Sequence, residues 1–488
     1  MRVLFVSSEV APFSKTGGLA DVSGALPAAL SRRGLDVRVM TPFYRAVVQG
    51  GWASAACGEV TLDPGGSVQT ARIREGTLPG GPPVWFVDHP PSFDRPGLYG
   101  EGGQDYPDNL ERFALFCRAV LAWVQAADWV PEVIHCNDWQ TALLPVYLRT
   151  SAEPLWSRVG SLLTVHNLAY QGVFPPEKYA LLGLPQDLYS PRYFEFWGRV
   201  NLLKAGLVFA DILSTVSETY AREIQTPELG CGLESVLRER AADLYGILNG
   251  VDYTVWDPRN DTYLPVRYGP DDLSGKATCK AALQEEVGLH RTPSVPLFGM
   301  VSRLVEQKGV DLVVACVDHF PAAGAQLVVL GTGDPRYEAE LQNAGRRHPG
   351  WVAVRIGFDE RLAHWIEAGC DAFLMPSRYE PSGLNQLYSL RYGTVPVVRR
   401  TGGLADSVVD ATPEALERGE ANGFVFEEYT PGAFWGAVQR ALAAYQHRST
   451  WEKLVRTGMS ADFSWDRAAG RYVDLYRLAR RRRGAVPS

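Results

Sequence analysis

Long apolar runs, paired cysteines and an excess of positive charge are all missing from this chain of 488 residues. No apolar stretch approaches the roughly 18 residues that a membrane-crossing helix needs. After Arg2 the chain offers only Val-Leu-Phe-Val before Ser7, Ser8 and Glu9. That is too short for the core of a signal peptide and reads as a first strand. The seven cysteines stand apart at 57, 117, 136, 231, 279, 316 and 370, with no C-x-x-C pair. An odd, scattered set reads as reduced, mostly buried thiols of a cytoplasmic protein, not as a disulfide framework or a zinc site. A net charge of −7 argues against a nucleic-acid or anionic-membrane partner. The one basic block, arginines 480–483, reads as a solvated helix end or tail. There is no Asp-x-Asp triplet of the kind that often holds a metal in nucleotide-sugar enzymes. No G-x-G-x-x-G fingerprint follows a strand either: Gly331-Thr-Gly333 lacks its third glycine, Arg336 standing there, and the second strand ends in Thr41-Pro42 with no ribose-binding acid.

What is present is an ordinary globular composition, 46% apolar and 21% charged, at a length that implies two or three domains. The string Thr-Gly-Gly-Leu-Ala-Asp occurs twice, at 16–21 and 401–406, each time after a basic residue, Lys15 or Arg400. Its physical content is a strand that ends in a glycine turn and hands over to a helix. Glycines let the backbone turn and expose N–H groups, and the helix start behind them favours an anion. One such turn in each half predicts two similar α/β domains facing one anionic ligand in the cleft between them. Either copy alone is equally an ordinary strand-to-helix turn.

Short β-branched runs alternate with helical patterns. Strands are expected at 3–7, 36–41, 84–87, 133–135, 162–165, 212–215 and 244–248, with helices at 108–125 and 195–205. The second half repeats the scheme, with strands at 297–301, 326–330, 352–356, 372–375 and 395–398. Helices are expected there at 309–319, 336–346, 360–368 and 384–392. Such alternation predicts parallel sheets with helices on both faces. The stretch 249–276, rich in Asp, Pro, Gly and Tyr, reads as the crossing between a first domain at 1–248 and a second at 277–464. The helical segment from Trp465, within 465–488, is free to pack back on the first domain.

In doubly wound sheets ligands bind beyond the carboxyl ends of the strands, so the loops there should carry the chemistry. Arg303 and Lys308 flank one such loop, and two cations could neutralise a diphosphate without a metal; the plainer reading is two solvated surface charges. Glu380 stands between a strand and a helix start, with Pro381 and Gly383 bending the loop. That suits a carboxylate facing sugar hydroxyls or a developing positive charge, or a simple capping role. Asp138 and His166 end two strands of the first half. Asn249-Gly250-Val251-Asp252 follows another, where a tight turn would serve as well.

With these residues in hand, the chain resembles the bacterial and plastid glycogen/starch synthases, retaining glucosyltransferases built as two Rossmann-like doubly wound domains facing a cleft (GT-B architecture). The resemblance runs over Ser7-Ser-Glu-Val-Ala-Pro-Phe-Ser-Lys15-Thr-Gly-Gly-Leu-Ala-Asp21, Asn137-Asp-Trp139, Thr164-Val-His-Asn-Leu-Ala-Tyr-Gln-Gly172 and Thr215-Val-Ser217. It continues through Asn249-Gly-Val-Asp252, Ser302-Arg-Leu304 with Gln307-Lys-Gly309, Pro376-Ser-Arg-Tyr-Glu-Pro-Ser-Gly-Leu384 and Arg400-Thr-Gly-Gly-Leu-Ala-Asp406. It implies an ADP-glucose donor, a glycogen or α-1,4-glucan acceptor extended at its 4-hydroxyl, and no metal or other cofactor. The first domain would take the acceptor side and the second the nucleotide sugar.

By the same resemblance, Lys15, Gly17, Gly18 and Asp21 belong to the nucleotide-sugar site. Arg303 and Lys308 hold the diphosphate, while Glu380, Ser382 and Gly383 contact the glucosyl unit. Asp138, His166, Asn167 and Asn249 line the sugar site, with the His166 carbonyl towards the anomeric carbon. Thr401 and Gly402 approach the phosphates, and Gly331 joins the binding set. Ser382 stands where many relatives have Cys, and Asn137 and Gln140 stand where histidines often flank the Asp-Trp pair.

The implied mechanism is front-face displacement within a tight ion pair, which trapping of a glucosyl-enzyme adduct would exclude. Water must be kept off the donor, which predicts domain closure visible in scattering. Three other readings stand beside it. An NAD-type oxidoreductase needs the fingerprint that is missing, and a glucan-binding scaffold would not need Arg303, Lys308 and Glu380. A related transferase would use UDP-glucose or another acceptor.

Overall fold

The computed structural model describes residues 1–52, 55–62 and 68–484. The chain divides into two compact units, Met1–Gly250 with Trp465–Ser488, and Val251–Ser464.

Unit 1 is built on a nine-stranded sheet in the order Leu244–Gly246, Ile212–Thr215, Gly160–Val165, Val133–Asn137, Arg2–Val6, Asp36–Pro42, Pro83–Asp88, Gln69–Thr77, Ala56–Leu62. The first seven strands pair in parallel. The central strand Val3-Leu4-Phe5-Val6 is wholly buried, as a strand covered on both faces must be. The last two strands form an antiparallel edge hairpin. The sheet is therefore mixed, a correction to the expected all-parallel one. The hairpin strand Gln69–Thr77 is half exposed, with a burial pattern too weak to mark it among buried strands.

A second correction concerns 195–205, expected as a helix. Glu195–Phe196 and Arg199–Asn201 pair antiparallel around Trp197-Gly198, whose φ values are 52° and 75°. Two left-handed residues make a two-residue hairpin turn, and the helix Leu202–Phe209 starts only after it. Asn201 caps that helix by accepting the Lys204 N–H at 2.9 Å.

The helix Trp465–Gly484 belongs to unit 1. Its Tyr476 hydroxyl meets His135 Nδ1 at 2.8 Å in the core, and the backbone at Ala479 lies against Gly160. The arginines expected to be a solvated end are partly tied down. Arg480 pairs with Glu132 at 2.7 Å, Arg483 with Asp211 at 2.9 Å, and Arg482 with Asp243.

Unit 2 carries a six-stranded, all-parallel sheet in the order Val352–Ile356, Gln326–Gly331, Leu297–Val301, Ala372–Met375, Val395–Arg399, Phe424–Phe426, with an apolar core on each face. The stretch from Val251, poor in periodicity, is anchored here. Asp257 pairs with Arg391 at 2.5 Å, Asp261 accepts the Tyr392 hydroxyl at 2.6 Å, and Tyr268 is buried. The helix Ser274–Val287 begins inside it.

Among the described residues no helix is long and apolar enough to cross a membrane. All seven cysteines are free; Cys57 and Cys231 are exposed and the other five buried.

Candidate active site

In each unit the strand order reverses once. In unit 2 the chain runs from Leu297–Val301 outward through Gln326–Gly331 to Val352–Ile356, then returns to the other side of its first strand with Ala372–Met375. The loops beyond these two adjacent strands, at 302–309 and 376–384, flank the switch point where doubly wound sheets bind ligands. Lys308 comes from the first loop and Glu380 from the second, and they meet: Lys308 Nζ lies 2.6 Å from Glu380 Oε2. Ser377 donates its hydroxyl to the same oxygen at 3.0 Å. Glu380 is 5% exposed, so its carboxylate is held in one place rather than sampling solvent. A cavity of about 170 Å³ opens beside the pair, lined by Ser302, Lys308, Ser377, Glu380, Gly383 and Asn385 among others.

The glycines make this crowding possible. Gly309 has φ 73°, and a Cβ on it would lie 2.1 Å from the Pro376 carbonyl oxygen. The second glycine turn packs on the Glu380 loop: Gly403 N–H donates to the carbonyls of Glu380 and Pro381 at 3.1 Å each. A Cβ on Gly402 or Gly403 would stand 1.9 Å from the carbonyl oxygen of Glu380 or Ser382. Thr401, Ser382 and Gly383 therefore lie in one cluster with Glu380, and Thr401 and Ser382 are buried. Gly331 ends its strand against the 302–309 loop, a Cβ there falling 1.9 Å from the Ser302 carbonyl oxygen. Arg303 differs from its expected partner Lys308. It is exposed, donates to Gln307 Oε1 at 3.2 Å, and does not line the cavity.

Unit 1 reverses between Arg2–Val6 and Val133–Asn137. Asp138, just past the second of these, takes φ 56°, unusual for a residue with a side chain. Its Oδ1 accepts the His166 backbone N–H at 2.7 Å. Burial pushes this carboxyl up to about 7, against the amides of His166 and Asn167, with the charge of Glu9 adding to the rise. Burial pushes the His166 imidazole the other way, to about 3, so it is neutral near pH 7. Asn137 donates its amide N–H to the Val6 carbonyl at 3.0 Å, which turns its oxygen towards His166 Nε2 at 2.9 Å. That partner assigns the imidazole proton to Nε2. Asp138, His166 and Asn167 thus form one cluster, and Asn249 is buried in the loop after the Leu244–Gly246 strand.

The first glycine turn is arranged differently from the second. Gly17 and Gly18 are exposed, Gly17 is extended at φ −160°, and nothing approaches its missing Cβ within 4 Å. Lys15 Nζ pairs with Asp21 Oδ1 at 2.7 Å. The turn is expected from the sequence to expose its N–H groups to an anion; those of Thr16 and Gly17 are instead taken by Glu9 at 2.6 and 3.3 Å. Sequence reading assigned no role to Glu9, Tyr99, Ser377 or Asn137. Glu9 lies inside the resemblance but seven residues from Thr16 and 90 from Tyr99, spacings that carry no periodic signal.

Among the described residues no group of three or more His, Cys, Asp and Glu side chains could hold a metal ion.

Two Rossmann-like units, each with polar residues gathered at the switch point of its sheet, are the architecture of the GT-B class of glycosyltransferases. The solved catalytic domain of starch synthase IV from Arabidopsis thaliana, bound to ADP and acarbose, superposes with a TM-score of 0.89 at 35% identity, covering 98% of this chain and 99% of that one. Sucrose-phosphate synthase from Thermosynechococcus elongatus shares the fold at a TM-score of 0.58 and 18% identity, covering 98% of each chain. Residues 2–239 match the model of the starch synthase catalytic domain, and 289–457 that of glycosyl transferases group 1. Glycogen synthase from Anaeromyxobacter dehalogenans strain 2CP-C is 52% identical over 480 residues, 98% of this chain and 99% of its own. Glycogen synthase 2 from Geobacter sulfurreducens is 49% identical over 484 residues, 98% of this chain and 99% of its own. The chain belongs to the glycogen/starch synthase family of glycosyltransferases.

Proposed function

We propose that the protein is a cytoplasmic, ADP-glucose-dependent glycogen synthase that adds glucose to the non-reducing end of an α-1,4-glucan with retention of configuration. The observation that carries this reading is the Lys308–Glu380 ion pair at the switch point of unit 2, backed by the second glycine turn. The ADP bound to the Arabidopsis neighbour supports the choice of nucleotide, and the acarbose there supports a glucan-like acceptor.

The bond between the anomeric carbon and the β-phosphate oxygen breaks, its electron pair leaving with ADP. The acceptor 4-oxygen bonds to the anomeric carbon on the same face, and its proton passes to the departing phosphate oxygen. Lys308, oriented by Glu380, and the exposed Arg303 neutralise the diphosphate as charge builds. Glu380, with Ser382 and Gly383, holds the glucosyl hydroxyls and opposes the positive charge at the anomeric carbon. Thr401 and Gly402 approach the phosphates, and Gly331 keeps the Arg303 loop close. In unit 1, Lys15, Gly17, Gly18 and Asp21 serve the nucleotide sugar, while Asp138, His166, Asn167 and Asn249 serve the sugar. A neutral His166 suits this place, because a cation would oppose the oxocarbenium character that the carbonyl of the same residue stabilises.

Labelled glucose supplied as ADP-glucose or UDP-glucose, with and without glycogen, tests the reading. Label should enter polymer from ADP-glucose and fail to do so in Glu380→Ala. Entry from UDP-glucose alone would overturn the donor; nucleotide release without label in glucan would overturn the acceptor.

A further inference from the structure

Glu9 follows the first strand of unit 1 and is 4% exposed, yet among the described residues no Lys, Arg or His pairs with it. Instead both carboxylate oxygens are filled by donors. Oε2 accepts the backbone N–H of Thr16 at 2.6 Å and of Gly17 at 3.3 Å. Oε1 accepts the Thr16 hydroxyl at 2.6 Å and the Tyr99 hydroxyl at 2.7 Å. Tyr99 also meets Ser8 Oγ at 2.8 Å, and because its own proton goes to Glu9 it accepts from the serine. The segment bearing Tyr99 is itself clamped: the buried Arg112 donates to the carbonyls of Ser92 and Leu98 and to Asn109 Oδ1, and Asn109 donates to the Tyr99 carbonyl. A chain of hydrogen bonds therefore runs from the core of unit 1 to the start of the helix Gly18–Arg32 and ends on the turn that carries Lys15.

A turn whose two glycines are exposed, with open space beside the missing Cβ of Gly17, has many conformations open to it. Holding it in one costs entropy, and a pre-placed acceptor meets that cost before any ligand arrives. We propose that Glu9, locked by Tyr99, is the positioning residue of the first glycine turn: it takes the Thr16 and Gly17 amides where an anion would otherwise sit, and so aims Lys15 and the Gly17-Gly18 backbone at the donor. The second copy of the hexapeptide is held by the same logic with a different atom, the backbone carbonyl of Glu380 receiving Gly403 N–H. The two identical strings are thus fastened from outside, each by a glutamate placed after a sheet strand. The aiming step rests on the donor site proposed above; the fastening does not.

Two variants separate reach from charge. Glu9→Gln keeps the length and one carbonyl oxygen for the two amides. Its NH2 then faces two hydroxyls that can turn to accept, Tyr99 donating instead to Ser8. Glu9→Asp keeps the charge and withdraws it by one methylene. Exchange of the Thr16 and Gly17 amides, read in peptides spanning 10–20, should be unchanged in Glu9→Gln and faster by about tenfold or more in Glu9→Asp. With ADP-glucose as varied substrate, kcat/KM should stay within about threefold for Gln and fall about tenfold for Asp, the KM for glucan unmoved in both. Tyr99→Phe, which removes one donor and no volume, should move both readouts the same way by a smaller factor. Wild-type exchange in Glu9→Asp, or a Gln variant as damaged as the Asp one, would overturn the proposal. Amide exchange needs no turnover. Loss of the donor assignment would leave it standing, whereas unchanged exchange would sink the positioning role even in an active synthase.

Discussion

Asp138 and His166 share one loop cluster but titrate in opposite directions, and their effects on stability can be separated. In the folded protein Asp138 keeps its proton to about pH 7, against an ordinary 3.8. Between those values the native state holds a proton the unfolded chain has lost, so stability falls as pH rises and levels off above 7. His166 is the reverse: its value drops from 6.5 to about 3, so stability falls as pH falls through that window. From pH 4 to 6.5 the two slopes oppose. Asp138→Asn removes one of them, and its unfolding free energy should climb relative to wild type by about 2–4 kcal/mol between pH 4 and 7. Denaturant titrations at stepped pH check this; parallel curves for the two proteins would refute it. The cationic pair divides too. Lys308→Ala leaves the Glu380 carboxylate with Ser377 alone among the described residues and should cost about 1–3 kcal/mol of stability as well as turnover. Arg303→Ala should cost turnover with about 0.5 kcal/mol or less of stability, since Arg303 is exposed. Both were readable as loop cations from their spacing. Which of them turns inward was not, because that depends on Glu380 arriving from a loop 72 residues away.

The two glycine turns are identical in sequence and unlike as elements. Gly17 is extended with open space at its Cβ, while Gly403 abuts a carbonyl at 1.9 Å. Gly17→Ala should leave the melting temperature within about 1 °C, and Gly403→Ala should lower stability by about 2 kcal/mol or more as the Glu380 loop is displaced. Calorimetry on the pair of variants decides it. The repeat therefore announced the strand–turn–helix units correctly and concealed that their amides are spent on protein acceptors. The strands of both parallel cores were legible for a simple reason: buried parallel strands are short continuous apolar runs, such as Leu-Phe-Gly-Met-Val, bounded by turn residues. The segment 195–205 misled because Phe194, Phe196, Val200, Leu203 and Ala205 mimic helical spacing. What opposed a helix there was one dipeptide, Trp197-Gly198. A buried hydrogen bond links the C-terminal helix to the sheet, and Tyr476→Phe should cost about 1–3 kcal/mol by orphaning His135 Nδ1.

At the scale of the molecule, unit 2 is one continuous segment and unit 1 is not. Trp465, Ala469, Tyr472, Tyr476 and Ala479 are buried in the core of unit 1. At about 1.5–3 kcal/mol for each large side chain, they account for much of the 5–15 kcal/mol by which a domain is stable. A chain ending at Ser464 should lose the cooperative unfolding of unit 1, while a fragment of 251–464 should melt as a single transition. The dispersal of unit 1 was open in the sequence only as a helical pattern after Trp465; which surface it covers is written in pairs such as Tyr476 with His135, 341 residues apart.

The late position of that helix has a consequence for biosynthesis. A ribosome releases residues in order, so unit 2 has every residue it needs while unit 1 still lacks a wall of its core. The nascent chain must carry an open, apolar flank at its older end throughout the making of its younger half. The window closes only when Tyr476 leaves the exit tunnel. Protection during translation is thus required by the earlier-made part of unit 1 for longer than by any part of unit 2.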